Sequence, residues 1–204
     1  MTGRDVIVAG LLAAAVTLTA GCSPQPQHVP SAPETTAGQG PGSQEADANG
    51  AGDIPDSQAF VVFTAPDSSF TVQVPEGWAR TDSPGGVTFT DNFNSVIVES
   101  RTGTSAPTPE SARLTELPVI AAATPGVKSG EVTTVDRPAG QAILLTYQQD
   151  SPASPVTGRS TTQAVERYEF FRGGHTVILT LAGPVGADNV DPWRKITESF
   201  RWST

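Results

Sequence analysis

Apolar and polar residues alternate in seven short stretches of the chain, and apolar residues recur at helical spacing in two others. Phe70-Thr71-Val72-Gln73-Val74 places Phe70, Val72 and Val74 on one face of a strand, and Pro75-Glu76-Gly77-Trp78 then turns the chain. Pro84-Gly85-Gly86 precedes Val87 to Thr90, and Asp91 to Asn94 is turn chemistry leading into Val96 to Glu99. Glu131 to Asp136 and Ala142 to Tyr147 read as a hairpin about Arg137-Pro138-Ala139-Gly140. Gln163 to Arg172 and His175 to Ala182 flank Gly173-Gly174, which suits a two-residue primed turn. That register sets Phe170 opposite Val177 and Tyr168 opposite Leu179, with Arg172 facing His175 at the tip.

The two helical segments carry start signals. Thr108-Pro109-Glu110 reads as N-cap, proline at the first helical position and first-turn acid, with Leu114, Leu117 and Ala121 following at helical spacing. Pro118 should kink or end this helix, since proline lacks the N–H and clashes with the preceding turn. Asp191-Pro192 repeats the start signature, and Trp193, Ile196 and Phe200 then share one face. About seven short strands and two helices give the α+β class, with a largely antiparallel sheet.

The N-terminus follows another pattern. Val6 to Ala20 is an uncharged run of 15 residues, too short to cross a bilayer but suited to a secretory signal. It ends in Leu18-Thr19-Ala20-Gly21-Cys22, which resembles the bacterial lipobox, although Thr19 stands where Leu is usual. The resemblance implies a signal peptide over residues 1–21, cleavage before Cys22, and a lipid on the Cys22 sulfur. The alternative is an ordinary signal or anchor whose cysteine is incidental. Over residues 23–58 there are six Pro, five Gly, five acids, and no Leu, Phe, Tyr, Trp, Met, Lys or Arg. Such a stretch cannot offset its ordering entropy and is expected to be a disordered tether. The domain is therefore expected over residues 59–204, behind a lipidated cysteine and tether over 22–58, on the extracytoplasmic face of the cell membrane.

Composition narrows the function classes. The net charge of -9 speaks against a nucleic-acid partner. A single Cys excludes an internal disulfide, and with two His it cannot complete a Cys/His zinc set. No G-x-S-x-G, H-E-x-x-H, G-x-G-x-x-G or Walker sequence occurs, so no catalytic residue, cofactor or metal is expected. Ser151 or Ser160 could approach His175, yet no spacing says so, and His175 reads foremost as a solvated hairpin-tip residue. Trp78, after its Pro/Gly turn, is either a binding anchor or a lid on the core edge. With Arg172 and His175 it makes up the candidate binding surface. The polar stretch Gln148 to Gly158 is a loop that could carry recognition.

Phe70 to Trp78 (F-T-V-Q-V-P-E-G-W) resembles the first hairpin of PsbP-like domains. The Tyr168 hairpin followed by Asp191 to Trp202 (D-P-W-R-K-I-T-E-S-F-R-W) resembles the closing hairpin and helix of the same family. The fold is shared by a Ran-binding nuclear-transport protein and by mycobacterial lipoproteins of the LpqN type. The resemblance implies an antiparallel sheet between helices, an αβα sandwich, and transfers no catalytic residues. The expected role is a non-catalytic envelope module that binds a protein partner or an apolar ligand. A lipid carrier, or a hydrolase whose acids converge only after folding, are the alternatives.

Overall fold

The computed structural model describes residues 52–153 and 158–203. The expected signal peptide, Cys22 and the tether through residue 51 lie outside the described residues. The strands are β1 (Phe60–Thr64), β2 (Phe70–Pro75), β3 (Ala79–Ser83), β4 (Gly86–Asp91), β5 (Asn94–Thr102), β6 (Lys128–Arg137), β7 (Gly140–Asp150), β8 (Thr162–Arg172), β9 (His175–Pro184) and β10 (Arg201–Trp202). Two short helices, α1 (Pro109–Ser111) and α2 (Leu117–Ala123), are joined by a π-helical segment, Ala112–Glu116, and α3 spans Val190–Ser199. A seven-stranded sheet has the order β3-β4-β5-β9-β8-β7-β6, and a three-stranded sheet has the order β1-β2-β10. Every pairing is antiparallel.

The expected β8–β9 register is present: Phe170 faces Val177, Tyr168 faces Leu179 and Arg172 faces His175. Gly173 and Gly174 have φ of 58° and 82°, the two positive values that a type I′ turn needs. Strands β1, β3 and β10 are additions to the seven expected from alternation. β3 escapes a periodicity reading because all five of its residues are exposed, and β10 because it has only two residues.

Side-chain alternation splits the core in two. Val96, Val98, Phe170, Val177, Leu179 and Leu181 face the small sheet and α3, where Phe200 stacks on Phe170 at 4.4 Å. Ile143, Leu145, Tyr147, Val165 and Ala182 face the other way and pack against Ala112 and Leu117 of the helical layer. Helices therefore lie on both faces of the large sheet, as expected, but α3 shares its layer with a small sheet.

The Pro118 question resolves as a π turn. Leu117 donates to the Ala112 carbonyl, five residues back, and α2 restarts with proline near its first position, where no N–H is needed. Thr108 caps the segment: its hydroxyl accepts from the Ser111 N–H while the Ser111 hydroxyl accepts from the Thr108 N–H. The fold also includes residues before 59. Ile54 is buried, its N–H donates to Asn189 Oδ1 at 2.8 Å, and the Gly52 carbonyl accepts from Asn94 and Asn189. This docking rests on two buried asparagines far along the chain, which composition alone does not disclose.

Candidate functional site: a cleft floored by a buried ion cluster

Odd-numbered residues of β8 face the helical layer. Val165 follows that rule as part of the core, but the next two such positions, Arg167 and Glu169, are charged and buried. Register places Arg167 beside Thr180 on β9, and Ile178 between Glu169 and Glu99 of β5. Arg167 donates from Nε to Glu169 at 3.3 Å, and from Nη1 to Glu99 at 3.2 Å and Thr180 Oγ1 at 3.1 Å. Its Nη2 lies 3.5 Å from Glu116, which the π segment brings down onto the sheet. Arg101 bridges the same two acids, 3.4 Å from Glu99 and 3.6 Å from Glu116. Three carboxylates thus share two guanidiniums. Burial pushes the Glu169 carboxyl above its usual range, with Arg167 opposing.

Above this cluster a cleft of about 780 Å³ opens between α2 and the sheet. Ile97, Ile120 and Tyr147 form its apolar wall, and Arg101, Glu116 and Arg167 its polar floor. Burial raises the Tyr147 phenol above its ordinary value, which keeps it a neutral hydrogen-bond donor. Ser151, Pro152 and Ala153, from the stretch expected to be a recognition loop, form part of the rim. Gln148 to Asp150 of that stretch belong to β7 instead. The volume is in the range of ligand sites, and an apolar wall with a few convergent polar groups is their usual make-up. A second recess, of about 390 Å³, lies between the β1–β2 tip and β4–β5, lined by Phe63, Phe70, Val87 and Val98 with Asp67 at its mouth. Two hydrogen bonds from Ser69 hold the Asp67 carboxyl below its usual range. Among the described residues no group of three His, Cys, Asp or Glu could hold a metal ion.

The residues singled out by sequence do not converge. Trp78 is half-buried against the main core and closes its edge. It precedes Ala79, at the sheet end where Ser95 pairs with Ala182, whereas His175 pairs with Thr102 at the other end. Seven residues of β9 separate those ends, roughly 23 Å. Arg172 and His175 are exposed at the tip, so they do not form one surface with Trp78. Cys22 lies outside the described residues. Sequence reasoning missed Glu99, Glu116, Arg167 and Glu169. The available signal was Glu166-Arg167-Tyr168-Glu169, charges on both faces of a strand whose neighbours are apolar enough to be central.

Antiparallel sheets, a helical layer over one face and a C-terminal helix over the other define a PsbP-like α+β fold. The cyanobacterial PsbP (CyanoP) of Synechocystis sp. PCC 6803 matches over 76% of this chain and 99% of its own, with TM-score 0.53 and 13% identity. The Ran-binding protein Mog1p of Saccharomyces cerevisiae matches over 72% of this chain and 96% of its own, with TM-score 0.48 and 11% identity. LpqN, involved in cell envelope biogenesis of Mycobacterium tuberculosis, matches over 73% and 93%, with TM-score 0.42 and 16% identity. The fold assignment rests on the first of these. No protein-family model matches the sequence, and no curated protein matches it.

Proposed function

We propose that the protein is a membrane-tethered envelope lipoprotein whose folded domain is a non-catalytic binding module. The observation that carries the binding role is the cleft between α2 and the large sheet, with its apolar wall and charged floor. Its occupant is an apolar ligand, or a segment of a protein partner, that lays an apolar side on Ile97 and Ile120 and hydrogen-bonds toward Arg101 and Tyr147. The acids of the cluster support binding rather than hydrolysis, because each is engaged by a guanidinium: Glu99 and Glu116 by two, Glu169 by Arg167.

The binding role is tested by native mass spectrometry of the protein isolated gently from its own envelope. A co-purifying mass that disappears in Ile120→Arg, which puts a charge into the cleft wall, supports the reading. A co-purifying mass unchanged in that variant overturns it. An apo spectrum, with no crosslink to any partner from a photoreactive group at residue 119, also overturns it. The anchor is tested separately: Cys22→Ala should abolish retention in the detergent phase of a partition assay, and unchanged retention would remove the lipid anchor from the proposal.

The hydrolase alternative has the convergence of three carboxylates in its favour. Turnover of envelope polymer fragments that is lost in Glu116→Gln, an acid of the cleft floor, would establish it.

A further inference from the structure

Two strand edges are stacked on one side of the molecule. β1 is one edge of the small sheet and β3 one edge of the large sheet. Phe63 of β1 packs on Phe89 of β4 with ring centroids 5.7 Å apart, and Arg80 of β3 lies over the Phe63 ring at 5.4 Å. The edges therefore lie one above the other. Val61 and Val62 of β1 are 42% and 64% exposed, without a charge in the strand to guard them.

The direction of β3's free backbone groups follows from its hairpin. Ser83 pairs with Gly86 across the two-residue turn Pro84-Gly85, so Ser83, Thr81 and Ala79 spend their N–H and C=O groups on β4. The N–H and C=O groups of Arg80 and Asp82 then point outward, away from the sheet. These two residues are the only charged ones in β3, have opposite signs, and sit symmetrically about Thr81. Within one chain their side chains meet at 2.7 Å and remain 49% and 68% exposed.

We infer that β3 is a self-docking edge: a second copy of this chain pairs its own β3 antiparallel to it about a two-fold axis at Thr81. In that register Arg80 of each copy stands directly opposite Asp82 of the other. Each such pair exchanges both backbone hydrogen bonds and matches charge across the interface. The same axis brings the exposed valines of the two overlying β1 edges toward each other. A two-fold interface uses one self-complementary patch, which a strand with a cation and an anion placed evenly about its centre supplies. The acidic N-terminal stretch is a poorer occupant of this edge, with five acids over residues 23–58 and no Lys or Arg to meet Asp82. The cleft under α2 lies on the opposite face, between β5 and β7, and stays open in the pair.

The test is a charge swap in the full chain, solubilised in mild detergent. A five-residue edge is a small interface, so self-association is expected in the micromolar range, roughly 10–100 µM. Sedimentation of the wild type should show a concentration-dependent dimer. Arg80→Asp and Asp82→Arg each place like charges opposite one another and should weaken the dimer roughly tenfold or more. Because both side chains are exposed, each variant should keep the wild-type circular dichroism and melting point. Mixed, the two variants are again complementary at every cross-strand pair. Differently tagged copies should then co-purify, whereas neither variant pairs with itself. Asp82→Pro removes one outward N–H without touching the β3–β4 ladder and should also abolish the dimer. A monomeric wild type at about 100 µM overturns the inference. So does a dimer that survives the single substitutions, or a mixture that fails to restore pairing.

Discussion

Replacing Arg167 by Met would remove one partner of a buried ion cluster while keeping most of the side chain's volume. The Arg167 side chain is 7% exposed and the Glu169 side chain 4%, with no other basic residue as close to Glu169. Glu99 and Glu116 are less affected, since their side chains are about one-third exposed and Arg101 still reaches both. The loss is therefore concentrated on Glu169, a buried carboxylate left without its ion-pair partner, for which about 3–5 kcal/mol is expected. The pH dependence follows from the raised Glu169 pKa. The folded state holds this proton more tightly than the unfolded chain does, so stability falls as pH rises through the folded-state value, and is regained at lower pH. Removing Arg167 raises that value further. The destabilisation should then be largest near neutral pH and smaller at acidic pH, where the Glu169 carboxyl takes up its proton. Urea unfolding of wild type and Arg167→Met on either side of that range measures both effects. The double variant Arg167→Met/Glu169→Leu should recover to within about 1 kcal/mol of wild type, because no charge remains buried there. A loss under about 1 kcal/mol at neutral pH would refute the reasoning, as would a double variant no better than the single one.

The chain has two tyrosines, and both have raised phenol pKa values: burial drives each, and Tyr168, which also donates to Glu166 at 2.7 Å, is pushed up to about 12. Absorbance titration should show little phenolate in the native protein at the ordinary phenol pKa of ~10, but half-ionisation in urea, and native stability should fall above that pH. Gly183→Ala would place a methyl 2.5 Å from Asn94 Oδ1 and 2.6 Å from Asn189 Nδ2, prying apart the pair that holds Gly52 and Ile54. A loss of about 1–3 kcal/mol, with faster proteolysis around residue 52, is expected in a limited-digestion and unfolding comparison. Phe200→Ala empties a fully buried site packed by Phe70, Phe170 and Trp202 and should cost about 3–5 kcal/mol in the same unfolding assay.

Alternation and turn chemistry determine local structure here because their causes are local. Gly173-Gly174 can adopt the paired positive φ values that close the β8–β9 hairpin, and that turn settles the register of Tyr168 and Phe170 over the whole strand. Trp193 and Ile196 likewise announce a helix with one buried face, but Phe200, expected on that face, lies just past the helix end in extended backbone and enters the core from there. These signals carry the α+β class and most of the sheet. Strand β3 was not legible, because an exposed edge strand has no buried face to impress a period on its residues. The expected site residues Trp78, Arg172 and His175 are distinctive in sequence, but strand length separates them, and no property of one residue reports that distance. The ion cluster under the cleft joins Glu99, Glu116, Arg167 and Glu169, which lie on β5, the π segment and β8. Those acids look scattered in sequence, since the order β5-β9-β8 brings them together only after strand pairing. The ion cluster exists because a low-dielectric interior makes each charge costly unless its partners arrive from other elements. That condition can be met only by the assembled sheet and its helical layer.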